Sequence, residues 1–289
     1  MIKTWLIAFR LKTLLAAISP VLLGLALAFH EDKFYIWVAI ATLLAAILLQ
    51  IGSNLANDVY DFLKGSDTEK RLGPQRVTQS GLLTPTQVKK GMVFIFALAV
   101  TIGFYLAYIG GWAIVVIGIA SIIAGIIYTG GPYPLGYHGW GDIFVFVFFG
   151  LIAVPGTYYL QTSSVTLESI ILGIAMGAIS TAILIVNNLR DIETDSESSK
   201  RTLAVRFGKQ FVKTEYHLMM IIAYIVPAIL MMYFDFDRKL VLPYFSLPLA
   251  IQLSIKIQNT EGKALNKVLT QTAKLLFIYS LLFAFGIAR

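Results

Sequence analysis

The sequence predicts an all-α, polytopic membrane protein, a bundle of nine transmembrane helices around a central cavity, on three observations. Hydrophobic residues make up 57% of the 289 and charged residues only 13%, whereas roughly a quarter of an ordinary soluble domain is charged. Apolar runs recur at the length of about 20 residues that a helix needs to cross a hydrocarbon core. The cations fall almost entirely in alternate connections between those runs.

The runs lie near residues 13–29, 36–56, 91–109, 112–129, 142–160, 168–188, 216–234, 240–257 and 270–288. The first imitates a signal peptide, with Lys3, Arg10 and Lys12 ahead of an apolar stretch and a small-residue box at Ala26 and Ala28. Eight further spans follow and need no separate export signal, so it is expected to remain as a span. The absence of cysteine excludes disulfides, thiolate metal sites and cysteine nucleophiles.

A net charge of +7 raises the question of nucleic acid, and the placement of the charge answers it. With nine spans, the N-terminus and the connections after even-numbered spans share one side. That side holds nineteen Lys and Arg, and the other holds only Lys33, Arg238, Lys239 and Arg289. This bias predicts that the N-terminus and the even connections face the cytoplasm, the expected setting being a bacterial inner membrane, and no nucleic-acid partner is needed to explain it.

The odd connections are short, such as "GG" at Gly110 and Gly111. The cytoplasmic ones at 57–90 and 189–215 are long, carry both signs of charge and include Leu72, Val77, Leu82, Leu83, Leu203, Val205 and Phe207. Loops of that length in a compact bundle are usually functional or disordered, and their apolar positions predict folded caps on one domain spanning 1–289. They also resemble each other. "NLANDVYD" with a following "KR" comes after span 2, and "NNLRDIETD" with a following "KR" comes four spans later. An even number of intervening spans implies a parallel internal repeat that brings the two motifs together.

Asn54, Asp58 and Asp61 stand at i, i+4 and i+7, on one face of a helix at the membrane edge. Asn187, Asp191 and Asp195 stand at i, i+4 and i+8. Carboxylates and amides without His or Cys suit Mg²⁺, which takes one or two carboxylates plus substrate phosphates. Lys64, Lys70, Arg71 and Arg76 follow the first cluster, and Arg190, Lys200 and Arg201 surround the second. Acids for the metal beside bases for the oxygens are what a magnesium-bound diphosphate requires. A single Asp or Asn here reads as a helix cap or an edge charge; two matched clusters on one side of the bilayer favour a shared site. "DVYDFLKGSDTE" lacks the acids and final glutamate of an EF-hand at the required positions.

A third cytoplasmic segment, "YTGGPYPLGYHGWGD" around 130–141, has almost no charge. One account is a tight turn with interfacial aromatics. The other is a wall of the site, where Tyr128, Tyr133, Tyr137 or Trp140 faces a carbocation, with His138 the only histidine expected near the acids.

Together "NDVYDFLKGSDT", "GPQRVTQSGLL", "YTGGPYPLGYHGWGD" and "NNLRDIETDSESSKRTLAVRFG" resemble the UbiA superfamily of intramembrane aromatic prenyltransferases, over about residues 10 to 285. The resemblance is greatest to its naphthoate branch. It implies nine helices around a lipid-open cavity beneath a cytoplasmic cap. It also implies that Asn54, Asp58 and Asp61 match the first magnesium and diphosphate motif, and that Asp191 and Asp195, with Asn187 upstream, match the second. Where many relatives carry a further Asp four residues after the position of Asp61, this chain has Gly65, with Asp67 two positions later, which leaves the role of Asp67 open. The implied reaction is Mg²⁺-dependent transfer of a polyprenyl group from its diphosphate to 1,4-dihydroxy-2-naphthoate, with loss of CO₂ and diphosphate, giving demethylmenaquinol. The implied catalytic residues are Asp58, Asp61, Asp191, Asp195 and Tyr128. Another acceptor (4-hydroxybenzoate, homogentisate or a chlorophyllide) and a secondary transporter are the alternatives, although acids in cytoplasmic loops rather than at the midplane speak against transport.

Overall fold

The computed structural model describes residues 2–68, 71–234 and 236–288, and no strand occurs among them. The helices, in chain order, are α1 Ile2–Phe9, α2 Leu14–His30, α3 Ile36–Leu63, α4 Pro85–Ile127, α5 Gly141–Phe146, α6 Ala153–Thr162, α7 Leu167–Arg190, α8 Ile192–Glu197, α9 Leu203–Tyr233, α10 Leu247–Asn259 and α11 Leu265–Ile287. Among the described residues, eight helical segments are long and apolar enough to cross a membrane. Nine were expected, and the difference lies in α4, which covers two of the expected spans. Gly111 interrupts it at φ 65°, ψ −156°, a region open to glycine but closed to most side chains. A Cβ at Gly125 would lie 3.7 Å from the Phe96 ring. Residues so far apart along a straight helix could not meet, so α4 folds back on itself at the "GG" turn.

Local chemistry sets the helix starts. Thr84 opens α4 with a capping box, its side chain accepting from Gln87 N while Gln87 receives the Thr84 N–H, and Pro85 follows at the first turn. Thr166 and Ser169 repeat the device on α7, and the Thr202 hydroxyl accepts from Val205 N at the start of α9. Between α5 and α6 the chain takes a π-helical turn, Val147–Ile152; Pro155 follows it and has no N–H to give the carbonyl of Leu151, four residues back. Gly150 in that turn packs directly on α7: a Cβ there would sit 2.5 Å from the Gly173 carbonyl oxygen and 2.8 Å from Gly177 Cα. Small residues replace side-chain interlocking at this crossing, as they do where membrane helices approach closely.

The interior divides into two main apolar clusters. The larger gathers α2, α6, α7, α9, α10 and α11 around Met176, Ile179, Tyr216, Tyr279 and Phe283. The other joins α1, α3 and α4 around Leu55, Val59, Val88 and Phe96. A cavity of about 1420 Å³ runs between them and takes its walls from both. The C-terminal ends of α3 and α7 reach the same end of that cavity, where the described part of the 64–83 loop, the 128–140 loop and α8 cover it. The caps are therefore shorter than expected: α3 continues to Leu63 and α4 has begun by Pro85.

Candidate active site

Most of the cavity wall is aliphatic or aromatic, and its polar residues gather at the capped end. On α3, Gln50, Ser53, Asn57 and Asp61 all face it, the i, i+3, i+7, i+11 spacing of a single helical stripe. Asn54 and Asp58 do not line it. At 3.6 residues per turn Asp61 lies about 20° to one side of Asn54, Asp58 about 40° to the other, and Asn57 about 60° to the Asp61 side. One apparent face thus splits into two. On the cavity side stand Asn57 and Asp61; on the other, Asn54 and Asp58 hold protein.

Asn54 donates from Nδ2 to the Phe9 carbonyl and the Thr13 hydroxyl, at 3.0 and 2.9 Å, and accepts from Gln50. It fixes the start of α2. Asp58, 1% exposed, accepts backbone N–H groups from Val77 and Thr78 at 3.2 and 3.0 Å, with the Arg10 guanidinium 3.9 Å away. Both its oxygens thus secure the cap loop. Neither Asn54 nor Asp58, both expected as metal ligands, lines the cavity in this structure.

Asp61, 2% exposed, is the crossing point of the site. Its Oδ1 accepts from the Tyr137 hydroxyl at 2.9 Å and lies 3.2 Å from Lys200 Nζ; its Oδ2 accepts from Arg76 Nη2 at 3.0 Å. Lys200 also reaches Asp195 Oδ1 at 3.8 Å, so one ammonium joins the acid of α3 to the acid of α8. Asp67 holds the cap arginines, with Oδ1 2.5 Å from Arg71 Nη1 and Oδ2 3.3 Å from Arg76 Nε. Asp191 is gripped by Arg190 through Nε at 2.8 Å and Nη2 at 2.5 Å, and the same Nη2 donates to Asn187 Oδ1 at 2.7 Å. Burying charge is tolerable only when it is paired and hydrogen-bonded, and removing one partner of such a pair typically costs about 3–5 kcal/mol.

The network shifts its own proton affinities. Burial pushes the Asp195 carboxyl up to about 7, with Lys200 opposing and Asp191 and Asp61 adding to the rise. Burial lowers the charge tolerance of Arg76, yet Asp67, Asp61, Asp58 and Asp191 together hold its guanidinium above the ordinary range. The phenols of Tyr128 and Tyr137 are raised by burial and by nearby acids, Asp142 for the first and Asp61 for the second. Both remain neutral donors.

Of the residues expected at the site, Asp61, Asp191, Asp195, Tyr128, Arg71, Arg76, Asn187 and Lys200 line the cavity. Lys64, Arg190 and Arg201 do not. Exposed Lys64 donates to the Gly131 carbonyl, and exposed Arg201 is tied through its backbone N–H to the Tyr137 carbonyl. Buried Arg190 acts through Asp191 and Asn187. Lys70 lies outside the described residues. His138 turns away, stacked on Tyr133 at 3.6 Å with Nδ1 2.8 Å from the Pro134 carbonyl oxygen; Tyr137, rather than Tyr133 or Trp140, supplies the aromatic wall with Tyr128. Arg10, Asn57, Asn188 and Asn266 also line the cavity and were missed. Asn57 was detectable in "NDVYD" from helical angle alone. Arg10 was hidden among the topological cations, although it sits in the left-handed region at φ 51°, an uncommon conformation for a non-glycine residue.

Among the described residues no three Asp, Glu or His side chains converge closely enough to enclose an ion alone. The oxygen donors of Asn57, Asp61, Asp191 and Asp195 suit a hard cation that takes its remaining ligands from phosphate, the habit of Mg²⁺.

Residues 17–282 match the UbiA prenyltransferase family. The chain is 36% identical to 1,4-dihydroxy-2-naphthoate octaprenyltransferase of Escherichia coli, covering 99% of this chain and 95% of that protein. It is 43% identical to the protein of the same name from Haemophilus influenzae, over 72% of this chain and 70% of that one. Its fold is similar to that of a UbiA homolog from Archaeoglobus fulgidus bound to GPP and Mg²⁺, with a TM-score of 0.72 at 16% identity over 99% of each chain. The chain therefore belongs to the UbiA prenyltransferase family and is an integral membrane enzyme that transfers prenyl groups.

Proposed function

We propose that the chain transfers a polyprenyl group from its diphosphate to 1,4-dihydroxy-2-naphthoate, releasing diphosphate and CO₂ and giving demethylmenaquinol, with Mg²⁺ as cofactor. The observation that carries this reading is the meeting of Asp61 and Asp195 at Lys200, with Arg71 and Arg76 beside them, at the polar end of an otherwise apolar cavity. The names and ligands of the relatives support it.

In the described structure the acids and bases of the site already pair with each other. A diphosphate cannot join such a set without bringing positive charge, and a divalent cation arriving with it meets that need. Asn57, Asp61, Asp191 and Asp195 would hold the ion. When bound, Mg²⁺ supplies charge neutralisation to the leaving diphosphate. Lys200, Arg71 and Arg76 donate hydrogen bonds to the oxygens on which charge builds as the allylic C–O bond breaks and its electron pair departs with the diphosphate. Tyr128 and Tyr137 present aromatic faces where positive charge develops on the allyl group. The ring carbon that bears the carboxylate then forms the new C–C bond, and CO₂ leaves from that same carbon while the electrons of the broken C–C bond return to the ring. Because the departing group is CO₂ rather than a proton, no protein base is required. The cap excludes water, the competing nucleophile. The basic excess at the capped end supports an orientation with the N-terminus and the site in the cytoplasm.

Membranes carrying the protein, given Mg²⁺, a long-chain prenyl diphosphate and a panel of aromatic acids, are expected to form decarboxylated prenyl naphthalenediol by mass spectrometry. Product from 4-hydroxybenzoate or homogentisate but not from the naphthoate would overturn the acceptor assignment. Asp61→Asn is expected to lower turnover about a hundredfold with the protein still inserted. Asp58→Asn instead lowers thermal stability by about 1 kcal/mol, the order of one lost hydrogen bond, as read by melting in detergent. Equal effects of the two on turnover, with equal melting points, would contradict the division between them. Because the chain has no cysteine, a single Cys at Lys33 should be labelled by an impermeant maleimide from outside intact cells, and one at Lys89 only after lysis; the reverse pattern would invert the orientation.

A further inference from the structure

Asn266, on the last helix, lies outside every motif discussed above, yet it touches both halves of the site. Its Oδ1 accepts from Arg190 Nη1 at 2.9 Å, while its Nδ2 donates to the Leu72 carbonyl at 2.8 Å and to the Lys263 carbonyl at 3.0 Å. Arg190 uses its opposite edge to clasp Asp191 and Asn187. One planar guanidinium thus spans from Asn266 to the second acidic motif, and its five fixed donors leave it little freedom once both edges are engaged.

The cap loop docks on the same guanidinium. A Cβ at Gly73 would lie 2.8 Å from Arg190 Nη2 and 3.0 Å from Arg71 Nη2, so a larger residue there would oblige these guanidiniums to move, and glycine lets the loop lie against Arg190 as it is held. Leu72 and Gly73 are followed within three residues by Arg76, and preceded by Arg71, the two cap arginines held by Asp67.

We propose that Asn266 is a positioning residue that latches the 71–76 loop of the first half to the Arg190–Asp191 pair of the second, so that the arginines that meet a diphosphate and the acid that meets its cation are set together. The inference rests on the diphosphate-binding reading above. Asn266 need not touch substrate in this role. Its Oδ1 keeps the Arg190 fork aimed at Asp191, leaving the other lone pairs of that carboxylate toward the cavity, and its Nδ2 keeps Leu72, and with it the loop, at the distance that Gly73 permits. The acceptor ring has no part in the latch.

The test compares wild type with Asn266→Leu and Asn266→Asp. The aspartate keeps an acceptor for Arg190 but loses the donor to Leu72. In purified protein, binding of a non-reactive prenyl thiolodiphosphate is measured by calorimetry across a Mg²⁺ series, and KM values for prenyl diphosphate and acceptor are measured in membranes. Asn266→Leu is expected to weaken Mg²⁺-dependent analogue binding and raise the prenyl diphosphate KM about tenfold, the scale of a lost hydrogen bond to a charged group, with the acceptor KM unchanged; Asn266→Asp falls between. Unchanged analogue binding in Asn266→Leu, or equal rises in both KM values, overturns the latch. A wild type that fails to bind the analogue refutes the diphosphate reading and the latch with it. A wild type that binds the analogue, in an Mg²⁺-dependent way that Asn266→Leu weakens, but forms no prenylated product refutes the reaction assignment while the latch stands.

Discussion

The ammonium of Lys200 between Asp61 and Asp195 is the contact on which the arrangement of the site depends. Two carboxylates brought together in a buried pocket repel unless a cation stands between them. The chain supplies that cation from the segment following α8, so the two halves of the bundle close on each other through charge as well as packing. The same requirement explains the other pairings. Asp67 answers Arg71 and Arg76, Asp191 answers Arg190, and Asp58 is satisfied by two backbone N–H groups. Every one of these acids is buried, and every one has partners in place.

That frame separates the site from the apolar volume below it. Polar groups crowd the capped end, while residues such as Ala45, Ala46, Gly103, Phe148 and Leu160 line the rest of the cavity. A molecule with a strongly anionic head and a long hydrocarbon tail meets complementary surroundings along its whole length, and on the proposed reading the prenyl diphosphate is such a molecule. The glycine contacts of Gly150 with Gly173 and Gly177 bring the π-helical turn against α7 and set Phe148 and Phe149 on the wall. Packing in one cluster thereby shapes the chamber next to it.

Much of this was legible in the amino-acid sequence because hydropathy and charge are strong signals. The end of α7, the reversal at Gly110 and Gly111, and the approach of the two acidic motifs all follow from them, whereas α3 runs on past the expected end of its span to Leu63. What was not legible depends on rotation about a helix axis by a few tens of degrees. Asp58 and Asp61 share a face in a spacing argument, but of the two only Asp61 lines the cavity, and Asn57 rather than Asn54 lines it beside Asp61. The role of Asn266 comes from contacts between segments distant in the chain, with Arg190 and with Leu72, which no local pattern encodes. Lys64 and Arg201 show the converse: proximity in sequence to an acidic motif did not bring either to the cavity wall.

The central claim is that the acids of α3 and α8 form one site rather than two neighbouring ones. A double-mutant cycle on Asp61→Asn and Asp195→Asn, read as Mg²⁺-dependent affinity for a non-reactive prenyl diphosphate analogue, tests it most directly. A shared site predicts strong non-additivity, with the double variant little worse than the weaker single one, a coupling above about 0.5 kcal/mol. Losses that simply add would show that the two carboxylates act independently and would contradict the account.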